Sequence, residues 1–124
     1  MAELQSTREI LSILERTVGE SIQQVQILGI NSLKSVSPSP QDLAGSTITN
    51  VTASARVVRI DLDRFFATID LQRTGRLIWR ETAEPAQIGH SSLPTVRVLL
   101  GSGSAVDFAE PAKTKRISVV LGVS

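Results

Sequence analysis

Cysteine is absent from the chain, which excludes disulfides, thiolate metal sites and thiol catalysis together. Tyrosine is absent as well, and Phe65, Phe66, Phe108 and Trp79 are the only aromatic residues. A core must then be built from Val, Ile, Leu and Ala, and a platform of exposed rings for stacking bases has almost nothing to draw on. Histidine occurs once, at His90, so an imidazole-assisted nucleophile or a histidine metal site would have to use that residue. Neither sign of charge is in excess: 13 basic and 12 acidic residues leave a net charge of +1, too weak a field to steer nucleic acid or an anionic membrane. No apolar run is long enough to span a bilayer. The opening Met-Ala-Glu-Leu-Gln lacks the basic and apolar regions of a signal peptide. Asn50-Val51-Thr52 is a glycosylation sequon, which without export is a chance match. These absences give the expectation of a protein that is cytoplasmic or assembled in a virion, with no nucleic-acid partner, no membrane insertion, no cofactor and no metal.

What is present is a foldable chain. With 124 residues, 41% apolar and 20% charged, it is long enough for one core and far from the composition of disorder. Ser6-Thr7-Arg8-Glu9 has the form of a capping box, and Ile10, Leu11, Ile13, Leu14, Val18 and Ile22 follow at three- and four-residue steps, predicting an amphipathic helix. Gly19 marks one place for it to stop, and Gln24 is the other. Val25 and Ile27 suggest a weak strand. Residues 35–46, with Pro38 and Pro40 among serines, read as an extended loop that serves either as a crossover or as an arm reaching a neighbour.

From Thr47 onward the pattern is β. Val58, Ile60 and Leu62 alternate with Arg59, Asp61 and Asp63, and after Arg64 the apolar parity shifts to Phe65, Ala67, Ile69 and Leu71, which predicts a bulge near Asp63-Arg64. The strand ending at Leu71 and the one holding Leu77, Ile78 and Trp79 read as a hairpin around Gly75, with that glycine supplying a positive φ. Val96, Val98 and Leu100 form another strand before the Gly101-Ser102-Gly103-Ser104 turn, and Ile117, Val119, Leu121 and Val123 close the chain. The expected fold is α+β: a single domain over residues 1–124, with a helix-containing segment at 1–24, the Pro/Ser loop at 35–46 and a mainly β region at 47–124. The helix packs on one antiparallel sheet of about five or six strands.

Candidate chemistry is sparse. His90 lies in a Gly-His-Ser-Ser stretch with no spacing that makes a triad. Asp61, Asp63 and Asp70 are of the right type for a hard cation or an acid/base pair, but Arg56, Arg59, Arg64 and Arg73 lie close by in sequence and favour a cross-strand ion-pair ladder. The Gly-Ser turn lacks the Lys-Ser/Thr of a phosphate loop. Lys113, Lys115 and Arg116 beside Glu110 read as the solvated start of a strand. No catalytic, cofactor-binding or metal residues are assigned.

The stretch Ile69-Asp70-Leu71-Gln72-Arg73-Thr74-Gly75-Arg76-Leu77-Ile78-Trp79 resembles the Thr-Gly-x-x-x-Trp hairpin of bacterial envelope lipoproteins of the curli-secretion and peptidoglycan-synthase-activator type. Those proteins are lipidated at a cysteine that this chain lacks, and the resemblance implies no function for it. The expectation from the residues is a non-enzymatic structural subunit, such as a phage virion or tail component, acting by self-association. Its interface would be Ile10, Leu14 and Val18 on the helix and Ile117, Val119 and Leu121 on the terminal strand, whose edge is open to pairing. The alternative is a small domain holding an apolar ligand between helix and sheet.

Overall fold

The capping box forms. In the computed structural model, which describes residues 5–29, 31–87, 93–111 and 116–124, the Ser6 hydroxyl accepts the Glu9 amide at 3.1 Å and the Glu9 carboxylate accepts the Ser6 amide at 3.3 Å. Helix α1 spans Thr7–Glu15 and buries Ile10 and Leu14. It is shorter than either predicted end. Thr17 turns its hydroxyl back onto the Leu14 carbonyl at 2.6 Å, and Gly19 adopts φ +89° with its amide on the Ile48 carbonyl at 2.8 Å. Helix and strand thus meet at a glycine that takes a left-handed conformation without a Cβ penalty.

Eight strands follow: β1 (Ile22–Ile27), β2 (Ile48–Ser54), β3 (Val57–Leu62), β4 (Phe65–Asp70), β5 (Arg76–Arg80), β6 (Val96–Leu100), β7 (Ala105–Ala109) and β8 (Ser118–Val123). They form two antiparallel four-stranded sheets, ordered β1-β6-β7-β5 and β2-β3-β4-β8, where the sequence pattern predicted one sheet. The two sheets face each other across a single aliphatic core. In the second sheet Val51, Ile60, Ala67 and Leu121 lie in register across all four strands, as do Ala53, Val58, Ile69 and Val119, so the period-2 apolar pattern becomes two inward-facing rows. Phe108, opposite Leu77 and Val96, anchors the other sheet.

Two local expectations are corrected. The parity change at Asp63-Arg64 is a tight turn between β3 and β4, not a bulge, because the chain reverses there and β4 pairs directly with β3. The segment around Gly75 is not a hairpin: β4 pairs with β3 and β8, whereas β5 pairs with β7, so the chain crosses from one sheet to the other. Nor does Gly75 supply the positive φ, which belongs to Gln72 at 57°. Glycine is required at 75 for space, since a Cβ there would lie 2.5 Å from the Leu71 carbonyl and 3.1 Å from Ile117.

The Pro/Ser loop carries the chain from β1 to β2. It includes a cis Ser37-Pro38 bond and a 3₁₀ turn at Pro40–Leu43 that buries Leu43. The edge of β8 is occupied as well. Val119 donates to the Ser32 carbonyl and accepts from the Lys34 amide, both at 2.8 Å, and the Leu121 amide donates to Ser35 Oγ at 2.8 Å. The terminal strand is therefore paired within this chain, and its edge is closed to a neighbour along Val119 and Leu121. Ile10, Leu14, Ile117, Val119 and Leu121 are at most 2% exposed inside the chain's own core, while Val18 is 45% exposed.

The helix lies against β2 and β5, where one edge of each sheet comes close, instead of covering a sheet face. Between the sheets, the space lined by the apolar residues Ile22, Leu43, Ile60, Val98 and Leu121 amounts to about 20 Å³. That is room for about one water and far below the roughly 300 Å³ or more of a ligand pocket, so this space holds no lipid-like ligand.

Candidate functional site

Two segments distant in sequence converge on Arg56. Its Nε donates to the Gln72 carbonyl at 3.0 Å, Nη1 to the Gln5 carbonyl at 3.3 Å, and Nη2 to the Gly75 carbonyl. The half-buried guanidinium thereby ties the β2–β3 turn to the N-terminal segment and to the β4–β5 connection. A planar fork of fixed N–H donors is suited to holding several carbonyls at once in a way an ammonium is not.

Gln5 adds a second tie. Its carboxamide accepts the Leu77 amide at 2.7 Å and donates to the Leu77 carbonyl at 2.8 Å, behaving like one more residue paired to β5. The Thr7 hydroxyl donates to the Ala55 carbonyl at 3.2 Å, which sets the start of α1 against the same turn. The β4–β5 connection is shaped from within: Asp70 Oδ1 accepts the Gln72 amide at 2.9 Å, and the Leu71 carbonyl accepts the Gly75 amide at 3.0 Å.

Both non-glycine residues with positive φ among the described residues, Ala55 at 54° and Gln72 at 57°, belong to this site. A left-handed conformation costs an L-residue roughly 1–2 kcal/mol, and such strain persists where the surroundings over-determine it. Replacing Ala55 with Gly removes that strain but frees the unfolded chain by about 0.4–1 kcal/mol. The expected net effect is a gain in stability of about 0.5 kcal/mol, read as a higher urea midpoint at unchanged slope.

The exposed rim of the site is basic. Arg8, Arg73 and Arg76 are exposed, and among the described residues their side chains have no hydrogen-bond or ion-pair partner. Elsewhere four arginines are paired: Arg16 with Glu81 at 3.1 Å, Arg59 with Asp61 at 2.9 Å, and Arg80 and Arg97 both with Asp107. A net charge near zero thus conceals a local excess of positive charge beside Arg56.

The other candidates do not assemble into chemistry. Asp61 is held by Arg59 two residues away on the same strand, with that guanidinium 4.2 Å from the Phe66 ring centroid. This replaces the predicted cross-strand ladder, because Asp61 faces Asn50 and Phe66 in register. Asp63 is exposed in the β3–β4 turn and Asp70 shapes the next connection. Among the described residues no group of three metal-ligating side chains occurs. Gly101 to Ser104 forms the β6–β7 turn. His90, Lys113 and Lys115 lie outside the described residues, and Arg116 is exposed. Glu110 is buried, with its carboxylate accepting the Thr95 hydroxyl at 3.1 Å and the amides of Arg116 and Ile117 at 2.6 and 3.0 Å.

Two polar centres escape the sequence reading. No local pattern points to Arg56 as a clamp, because its acceptors lie 16, 19 and 51 residues away. Asp107 did carry a signal: it is the only charge inside the apolar run of β7, and a buried charge demands a partner.

Two facing four-stranded sheets with a short helix at their edge are the fold this chain shares with solved DNA-glycosylase structures. The chain belongs to the family described as Formamidopyrimidine-DNA glycosylase N-terminal domain, which matches residues 1–117. Among solved structures it is similar to the Lactococcus lactis Fpg in complex with abasic-site DNA, at TM-score 0.67 and 14% identity over 93% of this chain and 41% of that one. It is likewise similar to the Lactococcus lactis FPG (MutM) complex with DNA containing FAPY-dG, at TM-score 0.68 and 13% identity over 93% and 42%. The chain therefore spans about two fifths of those proteins. No curated protein matches it in sequence.

Family membership overturns the expectation of a non-enzymatic virion or assembly subunit, since the family is that of an enzyme's domain. It also overturns the exclusion of nucleic acid: the similar structures are complexes with DNA. Net charge is a sum over the whole chain and carries no information on where the charges lie. No helix among the described residues is long and apolar enough to cross a membrane.

Proposed function

We propose that this chain is the DNA-engaging N-terminal domain of a base-excision glycosylase, acting on duplex DNA that carries a ring-opened purine or an abasic site. The observation that carries this reading is the family match over residues 1–117. The site's geometry supports it. Enzymes that act on a base inside a duplex must hold the backbone firmly while the nucleotide is rotated out of the stack, and that calls for rigid turns bearing exposed cations. The Arg56 site offers such turns, with its carbonyls tied inward and Arg8, Arg73 and Arg76 on its rim. The aliphatic core and the paired edge of β8 form the scaffold behind it.

The test is fluorescence anisotropy with the 124-residue chain and short duplexes that are undamaged, carry one FAPY-dG, or carry one abasic site. Binding that weakens with added salt and is tighter for the damaged duplexes is the expected result. Failure to bind any duplex at low salt overturns the reading.

A further inference from the structure

We propose that the outer edge of β1, at Val25 and Ile27, is a docking strand for an extended, uncharged segment of a protein partner, which joins the sheet beside β1. The inference goes beyond the DNA-binding reading and does not depend on it. β1 and β5 are opposite edges of one sheet, and the N-terminal segment held by Arg56 docks on β5.

Hydrogen-bond direction shows which backbone groups are open. The Leu28 amide donates to the Thr95 carbonyl at 2.8 Å, and residues of an antiparallel pair alternate between facing their partner strand and facing away. Along the register that sets Gln24, Val25, Gln26 and Ile27 opposite Leu99, Val98, Arg97 and Val96, Gln24 and Gln26 therefore face β6, and Val25 and Ile27 face away from it. On that outer side Ile22 donates to the Ser46 carbonyl and accepts the Gly45 amide, both at 2.8 Å. No pairing continues past Ile22 among the described residues. The N–H and C=O groups of Val25 and Ile27 form an open row of donors and acceptors.

The other three sheet edges are occupied by the chain itself. Residues 32–35 pair with β8, the Gln5 carboxamide pairs with Leu77 of β5, and Gly19 and Glu20 pair with Ile48 of β2. Charged residues and prolines are the common protection of an exposed strand edge. β1 has neither: no charged residue stands between Glu20 and Lys34, and the first proline is Pro38.

The surroundings of the open row define what fits it. A cleft of about 390 Å³ runs beside β1, with Val25, Ile27, Leu33, Pro40 and Gln41 in its lining. Every lining side chain is uncharged, so a charged residue buried there loses hydration and gains no counter-charge. An uncharged segment is the electrostatic match. Alternating main-chain donors and acceptors select an extended backbone, and Leu33 and Pro40 offer apolar contact to its alternate side chains. An incoming strand continues, along β1, the pairing that Gly45 and Ser46 begin at Ile22.

The experiment is amide hydrogen exchange, resolved by NMR, on the 124-residue chain. Its probe is the acetylated, amidated pentapeptide Thr-Val-Thr-Val-Thr at about 1 mM, enough to half-fill a site of millimolar Kd. In the free chain the Val25 and Ile27 amides are expected to exchange much faster than those of Gln24 and Gln26. The peptide should slow both by about twofold or more. The same peptide N-methylated at every residue, Lys-Val-Lys-Val-Lys and Glu-Val-Glu-Val-Glu should not. Val25→Pro removes one outward N–H and leaves the bonds to β6 in place, and it should abolish the slowing at Ile27. If circular dichroism shows that this variant has lost its fold, the N-methylated peptide tests the same hydrogen bonds from the other strand. Slow exchange at Val25 and Ile27 in the dilute free chain, no protection by Thr-Val-Thr-Val-Thr, or equal protection by the N-methylated or charged peptides overturns the proposal. Protection that grows with protein concentration in the absence of peptide assigns the edge to a second copy and overturns it as well.

Discussion

Asp107→Ala is expected to cost about 3–5 kcal/mol, a large part of the 5–15 kcal/mol that holds a domain of this size together. Asp107 is 1% exposed and accepts from Arg97 Nε at 2.7 Å, Arg97 Nη2 at 2.8 Å and Arg80 Nε at 3.1 Å. Arg97 itself is largely enclosed, with a side chain 16% exposed, and its Nη1 donates to the Glu84 carbonyl at 2.9 Å. Removing the carboxylate leaves that guanidinium enclosed and unneutralised, which is the expensive way to break such a pair. Thermal unfolding followed by circular dichroism should show a fall in Tm of roughly 10–25 °C.

Arg80→Ala tests the same centre from its exposed side. The Arg80 side chain is 47% exposed, and its pair with Asp107 should contribute only about 0–1 kcal/mol. The hydrogen bond to Asp107 raises the Arg97 pKa, aided by its charge and opposed by burial. A raised pKa stabilises the fold fully below the group's ordinary value and is lost only as pH climbs through the raised one. For a guanidinium that window is strongly alkaline, so the Arg97 side chain adds no pH dependence between about pH 5 and 9.

Arg56→Lys is expected to be nearly as damaging as Arg56→Ala, each losing about 2–3 kcal/mol of stability, although lysine preserves the charge. The fork that spans the carbonyls of Gln5, Gln72 and Gly75 is planar and fixed, and an ammonium on a flexible stem cannot face all three. The loss is capped because these carbonyls are only partly buried and water recovers part of each bond. The comparison separates two roles: if Arg56 contributed only charge, lysine would restore stability.

Much of the local structure was legible because it depends on neighbours in the chain. The Ser6/Glu9 box and the Ile10/Leu14 spacing mark the start and buried stripe of α1. The alternation from Val58 to Leu62 marks which side of β3 is inside. The error at Gly75 has a definite cause. A period of two states which residues face the core, but both sheets share that core, so an apolar strand after a turn satisfies the pattern equally well against β4 or against β7. The pairing is decided by β7, whose Phe108 and Val106 meet Leu77 and Trp79 in register, nearly thirty residues later in the chain.

The site was less legible than the fold. Arginine beside aspartates in sequence suggested a ladder, yet the strand register sets Asp61 against Asn50 and Phe66 and turns Arg56 toward main-chain carbonyls. The sequence by itself determined the helix cap, the apolar faces of the strands and the aliphatic character of the core, since each follows from spacing and residue type. Only the tertiary structure decided that there are two sheets, that β8's edge is paired with residues 32–35, and that a nearly neutral chain carries a local basic rim. Those features depend on which distant groups come within hydrogen-bond reach, and short-range periodicity carries no information about that.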